Sequence, residues 1–267
     1  MRLTVLGTRG SMTVSNREMQ EFGGSTSAYM VEEKGQVLLI DGGSGLQNVP
    51  RNAGTGEPLG LLFTHTHLDH ILGLPFFLPA VCSGRRLDIY GRTRDGEDVE
   101  AQLNHLFSAP LWPVGIRECS SAELVFHEIK GVSGGEFRLG HFHIRWMEGN
   151  HPGGCLVYRV EAGGKSLVLA TDFEHGGGNE DRLAEFACGT DLLLYDAQYT
   201  EREYILREGY GHSTAEYALK VFAESRAKGL RLVHHDLKRT DRQLREMEAR
   251  MGTPRIRFAR EGETVEL

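Results

Sequence analysis

Residues 61–70 read Leu-Leu-Phe-Thr-His-Thr-His-Leu-Asp-His, so an apolar run leads at once into His65, His67, Asp69 and His70. Successive residues of an extended chain point to opposite sides, which sends His65 and His67 the same way, with Asp69 next in the series. A helix beginning at about Asp69–His70 would turn its first residues toward the same pocket. Imidazoles and carboxylates are the ligands that suit zinc, iron or manganese with an open coordination position. A single histidine near a strand end would be an ordinary polar loop residue. Three histidines and an aspartate within six positions, directly after a buried strand, point to a metal.

Short apolar runs punctuated by many of the 34 glycines are the elements that must position this run. Candidate strands cover 2–7, 36–41, 60–64, 87–91, 123–128, 142–148, 155–161, 166–172, 191–196, 230–234 and 255–259, several alternating apolar and polar residues as half-buried strands do. Two late helices carry start signals. Ser213-Thr-Ala-Glu216 reads as a capping box, followed by Ala218, Val221, Phe222 and Ser225 on one face and Gly229 as a stop. Thr240-Asp-Arg-Gln243 opens a second helix in the same way, and Gly252 closes it. Strands first, then strands alternating with helices, predict a sheet-rich α/β protein.

The 267 residues, 40% hydrophobic and 25% charged, suffice to bury a sizeable core as one domain spanning 1–267. A formal net charge of −7 disfavours a protein that holds long nucleic acid by its phosphates. Cys82, Cys119, Cys155 and Cys188 stand far apart with no C-x-x-C pair, which excludes a zinc ribbon or thioredoxin-like motif and predicts free, mostly buried thiols. The N-terminus lacks a signal-peptide pattern, and no run approaches the roughly 20 apolar residues of a membrane span. A cytoplasmic protein without a membrane partner is expected.

The H-x-H-x-D-H run resembles the signature of the metallo-β-lactamase superfamily, and later strand ends carry residues similar to that family's remaining ligands in order. Asn150-His151-Pro152-Gly153 follows one strand, 167–172 ends in Asp172, and 230–234 ends in His234. The resemblance implies an αββα sandwich of two mixed sheets flanked by helices. It also implies one metal held by His65, His67, His151 and Asp172, and another by Asp69, His70, Asp172 and His234. The metals would be two divalent transition ions, zinc first, with manganese or iron as alternatives. His235 adjoins His234, and the sequence leaves both open; alignment on the apolar strand favours His234. Asp41, in the Asp–Gly loop after 37–40, and Asp196 are expected to support ligands rather than bind metal.

Gly211-His212-Ser213-Thr214-Ala215-Glu216 resembles the histidine motif of ribonuclease Z and related phosphodiesterases, as do residues 7–11 and 23–27. The resemblance implies a bridging hydroxide as nucleophile, Asp69 orienting it and taking its proton, and His212 protonating the leaving alkoxide. The glycine- and proline-rich basic arm with which ribonuclease Z grips tRNA has no counterpart here. Residues 92–121 are extra material carrying Asp95, Glu97, Asp98 and Glu100. A small or cyclic phosphodiester is therefore the expected substrate and partner, with long nucleic acid disfavoured and a homodimer left open. The alternatives are a ribonuclease Z-like endonuclease, a lactam, lactone or thioester hydrolase, and a non-catalytic binding protein of the same fold.

Three other patterns carry less. Gly131-Val-Ser133-Gly-Gly135 matches a nucleophile elbow, but residues 137–146 alternate like a strand where the elbow needs a helix, so a glycine turn is expected. Gly43-Ser-Gly45 begins like a dinucleotide loop, but Asn48 stands where its third glycine belongs. His141 and His143 read as solvent-facing strand residues, and the spacing of His175 assigns it no task.

Overall fold

A strand without polar alternation needs cover on both faces, and β3 (Gln36–Ile40) has it: Leu38 and Ile40 point into one apolar cluster, Val37 and Leu39 into another. The same division holds for β10 (Lys165–Ala170), with Leu167 and Leu169 on one side and Val168 and Ala170 on the other. Each such leucine contributes roughly 1.5–3 kcal/mol by leaving water. This computed structural model describes residues 1–54, 58–178, 180–251 and 253–267.

The other strands are β1 (Arg2–Gly7), β2 (Ala28–Glu33), β4 (Leu59–Leu62), β5 (Arg86–Gly91), β6 (Glu123–Glu128), β7 (Gly134–Leu139), β8 (Phe142–Gly149), β9 (Cys155–Ala162), β11 (Leu192–Asp196), β12 (Leu230–Val233), β13 (Ile256–Phe258) and β14 (Thr264–Glu266). They form two seven-stranded sheets, ordered β14-β1-β2-β3-β4-β5-β6 and β13-β12-β11-β10-β9-β8-β7. Both are mixed: β3 to β6 and β10 to β13 run parallel, and the remaining pairs run antiparallel. Leu3, Tyr29 and Leu62 of one sheet meet Ile144, Trp146 and Tyr158 of the other between them. Outside the first sheet pack α1 (Leu74–Phe77) and α2 (Val99–Asn104). Outside the second pack α3 (Glu180–Phe186), α5 (Ala215–Ser225) and α6 (Asp241–Met251), and α4 (Glu201–Tyr204) lies in the segment leading to α5. The two mixed sheets flanked by helices are the expected architecture.

Several local expectations change. Thr214, not Ser213, caps α5, because its side chain accepts the Tyr217 N–H; Ser213 is drawn away to His175 and Tyr195. Arg226, in the left-handed region at φ 55°, ends that helix before Gly229 is reached. The Thr240–Gln243 box forms as read, whereas Gly252 lies outside the described residues. A 3₁₀ turn (Leu68–His70) replaces the helix expected at Asp69, and α1 comes after it. Only Cys82 and Cys155 are buried; Cys119 is half-buried and Cys188 exposed, so the thiols are free but not mostly buried. Residues Gly134 and Gly135 of the glycine turn already belong to β7, and β8 comes next in place of a helix, which removes the nucleophile elbow. His141 is exposed as expected, while His143 is half-buried between Glu136 and Glu161. Among the described residues, no helix is long and apolar enough to cross a membrane.

Candidate metal centre

Each parallel half-sheet delivers its carboxyl-terminal strand ends to one edge, where α/β sheets commonly place their sites. Asp41 follows β3, the His65–His70 run follows β4, Asp172 follows β10, Asp196 closes β11 and His234 follows β12. Asp41, Asp172 and His234 adopt left-handed backbone, with φ of 62°, 54° and 60°. Such a conformation costs a non-glycine residue roughly 1–3 kcal/mol and is tolerated where surrounding structure holds it, commonly at functional sites. It breaks the in-and-out alternation of the strand at the residue whose side chain must reach the edge.

The side chains converge in three groups, each with donor atoms within 4.8 Å of one another: His65, His67 and His151; Asp69, His70, Asp172 and His234; and Asp172, Asp196, His212 and His234, the last two sharing Asp172 and His234. All seven residues expected as ligands are thus brought together. Asp172 lies between the first two groups, its Oδ1 3.9 Å from His65 Nε2, 3.8 Å from His151 Nε2 and 3.3 Å from His234 Nε2.

The hydrogen bonds on the far side of each ring test whether these residues fit metals. His70 Nδ1 donates to Asp41 Oδ2 at 2.8 Å. The Thr64 hydroxyl donates to Asp41, so it accepts from His65 Nδ1 at 3.1 Å. His151 Nδ1 donates to the Gly211 carbonyl at 2.8 Å, and His234 Nδ1 to Gln198 Oε1 at 2.7 Å. Four rings therefore carry their proton on Nδ1 and turn Nε2 toward the centre, as metal-bound histidines do. The Nε2 atom of His65 is buried with no hydrogen-bond partner, an arrangement that is costly unless a cation completes it, and His70 Nε2 faces Asp172 Oδ2 at 3.1 Å and Asp69 Oδ2 at 3.4 Å.

The two principal groups differ in charge. Burial, then neighbouring histidines, pushes the His65 pKa well below its usual value, and burial foremost lowers His67 and His151. Burial also opposes charge on His70 and His234, but Asp172 and Asp69 outweigh it; His70 rises well above its usual value and His234 to about 9. Asp69 is held far below the usual carboxylate range despite its burial, by His70 and His234. The Ser11 amide also donates to Asp69 Oδ2, at 2.7 Å.

His235 turns away. Its Nε2 donates to the Ala259 carbonyl at 2.9 Å, its ring packs edge-on against Phe22 and Phe258, and burial foremost lowers its pKa to about 3. His212 is buried beside the cluster, its Nδ1 2.9 Å from Asp196 Oδ2 and its ring stacked on His234 with centroids 4.8 Å apart. Asp41 and Asp196 thus act on the histidines around them. His175 sits between Tyr204 and Tyr217, its Nδ1 2.8 Å from Ser213 Oγ. The supporting roles of Thr64 and Gln198 are not visible in the sequence pattern, whereas Ser11 and Gly211 lie in the segments 7–11 and 211–216 singled out by resemblance, without the backbone contacts they make here.

A surface depression of about 520 Å³ lined by Ser133, Arg145, Trp146, Arg182 and Phe186 contains none of the clustered residues. The chemistry belongs to the strand-end edge, where titratable groups converge.

The beta-lactamase superfamily domain matches residues 37–235 of the chain. A ribonuclease Z of Haloferax volcanii is 26% identical over 278 residues, covering 88% of this chain and 84% of that protein. Among solved structures, the metallo-beta-lactamase fold protein YhfI from Bacillus subtilis superposes with a TM-score of 0.72 at 22% identity, covering 100% of this chain and 98% of that one. A diphosphatase from the PhnP family gives a TM-score of 0.70 at 21% identity, covering 100% and 97%.

Proposed function

The chain belongs to the beta-lactamase superfamily, and we propose that it is a dinuclear metal-dependent phosphodiesterase acting on a small or cyclic phosphodiester. The His212–Asp196 pair carries this reading. It stands against Asp172 and His234, where a leaving group could be protonated beside a metal-bound phosphoryl group. A relative named ribonuclease Z and a structural neighbour described as a diphosphatase support phosphorus over carboxylic substrates.

His65, His67, His151 and Asp172 would hold one divalent ion, and Asp69, His70, Asp172 and His234 the other. When bound, such ions acidify water near neutral pH and neutralise charge on phosphoryl oxygens. Asp69, steadied by the Ser11 amide, orients the attacking water and accepts its proton. Asp196 accepts a hydrogen bond from His212 Nδ1–H and so stabilises the imidazolium, leaving Nε2–H to pass its proton to the departing oxygen. The Asp196 carboxylate also accepts the Ser213 and Gln198 amides, so the pair rests on a fixed frame.

Three features favour a small substrate over RNA. The net charge is −7. Residues 92–121 pack inward through Leu103, Phe107 and Ile116, with Arg94 and Arg117 paired to Glu148 and Glu100. Exposed Leu68 and Leu72 flank Asp69–His70, and exposed Tyr210 precedes His212 by two residues, offering apolar contact beside the ligands. The ribonuclease Z relatives favour RNA cleavage as a second reading. Processing of a structured RNA precursor that survives competition from short oligonucleotides would select it.

Replacing His212 by Ala tests the reading. The variant should keep its metals and lose about 10²–10⁴-fold in kcat/KM on a diester with an alkoxide leaving group, where a general acid matters most. With p-nitrophenolate, stable as an anion, the loss should be much smaller. Equal loss on both would assign His212 to phosphate positioning; no loss on either, together with turnover of lactams or thioesters, would remove the phosphodiester reading.

A further inference from the structure

Glu174 is buried, yet among the described residues its carboxylate forms no ion pair. It accepts the amides of Gly209, at 2.5 Å, and Gly211, at 2.8 Å. Both glycines have positive φ, 87° and 91°, and a Cβ on Gly211 would fall 2.1 Å from His151 Nδ1. The turn is therefore shaped so that the Gly211 backbone touches the His151 ring. The Gly211 carbonyl accepts the His151 Nδ1 proton, and the next residue is His212. The backbone closes the ring of contacts: the Glu174 amide donates to Asn150 O at 2.8 Å, and Asn150 Nδ2 donates to Glu174 O at 3.0 Å, one residue before His151.

We propose that Glu174 is a positioning residue that couples the two halves of the reaction. By clamping the Gly209–Gly211 turn, it aims Nε2 of His151 into the histidine group and places His212 against Asp196. A carboxylate suits this task because charge-assisted bonds to the two amides are roughly twice as strong as neutral ones, and Gly211, buried at the inner end of an otherwise exposed turn, has no water to satisfy its amide otherwise. The same clamp leaves Tyr210, between the two glycines, 63% exposed. The turn is thus fixed by its backbone and not by packing of its middle side chain. The leaving-group half of this proposal rests on the phosphodiester reading above; the metal half does not.

The test compares Glu174→Ala, Glu174→Gln and Tyr210→Ala in the full chain, with zinc alone as the metal probe, titrated against a chromophoric chelator. Glu174→Ala should weaken the zinc of the His65, His67 and His151 group by about 10–100-fold, the usual cost of losing an outer partner of a ligand. It should also lower kcat more on an alkoxide diester than on a p-nitrophenyl diester. Glu174→Gln, which keeps one acceptor oxygen for two amides, should fall between Glu174→Ala and wild type, and it serves as the readable variant if Glu174→Ala does not fold. Tyr210→Ala should leave zinc affinity unchanged. A lowered Tm in both Glu174 variants with wild-type zinc affinity and an unchanged leaving-group ratio would make Glu174 a structural residue and overturn the proposal. Zinc affinity is readable even where no phosphodiester is turned over, so failure of this proposal and failure of the phosphodiester reading are separable.

Discussion

The histidine group of the centre (His65, His67, His151) and its carboxylate-rich neighbour (Asp69, His70, Asp172, His234) lie side by side, yet they are made differently. In the first, burial lowers the pKa of His65 and His151, and that of His67, although the residue is open to solvent on one side, shifts the same way, so the imidazoles favour the neutral form with a free lone pair. In the second, the neighbouring carboxylates outweigh burial and raise the pKa of both imidazoles, His70 well above its usual value and His234 to about 9. There the proton occupies the place that a cation would take. If both groups hold metal as proposed, the first would favour ions that suit imidazole, while the second, richer in carboxylate, would accept a wider range of divalent ions.

Asp172 is the residue on which this contrast depends most, since it reaches both groups. Asp172→Ala should hold at most one metal per chain by elemental analysis and lose about 10³-fold or more in turnover, as expected when several kcal/mol of transition-state charge stabilisation disappear. Two tightly held metals in this variant would mean that the groups are independent and that Asp172 does not link them.

A subtler separation uses pH on metal-stripped protein. The folded pKa of His234, about 9, lies above its unfolded value of 6.5. Its contribution to stability is therefore complete below about 6.5 and lost as pH rises toward 9. His65, His67 and His151 have folded pKa values below 6.5, so they withdraw stability on the acid side instead. Denaturant midpoints should fall between pH 6.5 and 9 in the wild type, and the fall should flatten in His234→Gln. Zinc should remove the slope and release protons on binding. An identical slope in His234→Gln would show that the carboxylate group does not hold its proton as described.

The smallest effect on metal is expected at His235. His235→Ala should keep wild-type metal content while losing about 1–3 kcal/mol of stability, from the broken bond to Ala259 and the void beside Phe22 and Phe258. Loss of metal in this variant, with retention in His234→Ala, would reverse the placement of the pair.

Much of the fold was legible because most strands bury continuous or alternating apolar runs. The expected span 2–7 is β1 and 123–128 is β6, residue for residue. The three strands not anticipated have physical reasons. Strand β2 (Ala28–Glu33) mixes Ala and Met with a charged end, β7 opens on two glycines at a sheet edge, and β14 is a three-residue edge strand. Strands β2 and β14 lack the run of β-branched or alternating residues that marks a strand locally, and of β7 only residues 137–139 fall within the stretch read as alternating.

The chemistry at the strand ends was already present in the chain before folding: His65, His67, Asp69, His70, His151, Asp172 and His234 are of the residue types that can ligate metal, each placed where an apolar run stops. Which way they face was left to the folded molecule. A left-handed turn at His234 swings that ring, and not the His235 ring, toward Asp69 and Asp172. Asp41 reaches His70 across 29 positions, Asp196 reaches His212 across 16, and Glu174 holds Gly211 across 37. The cause is the range of the forces involved. Hydrophobic periodicity acts within one element and leaves its mark in local composition. A buried polar group must find its partner wherever the folded chain brings one, and that pairing is written in the packing of two sheets rather than in the spacing along either.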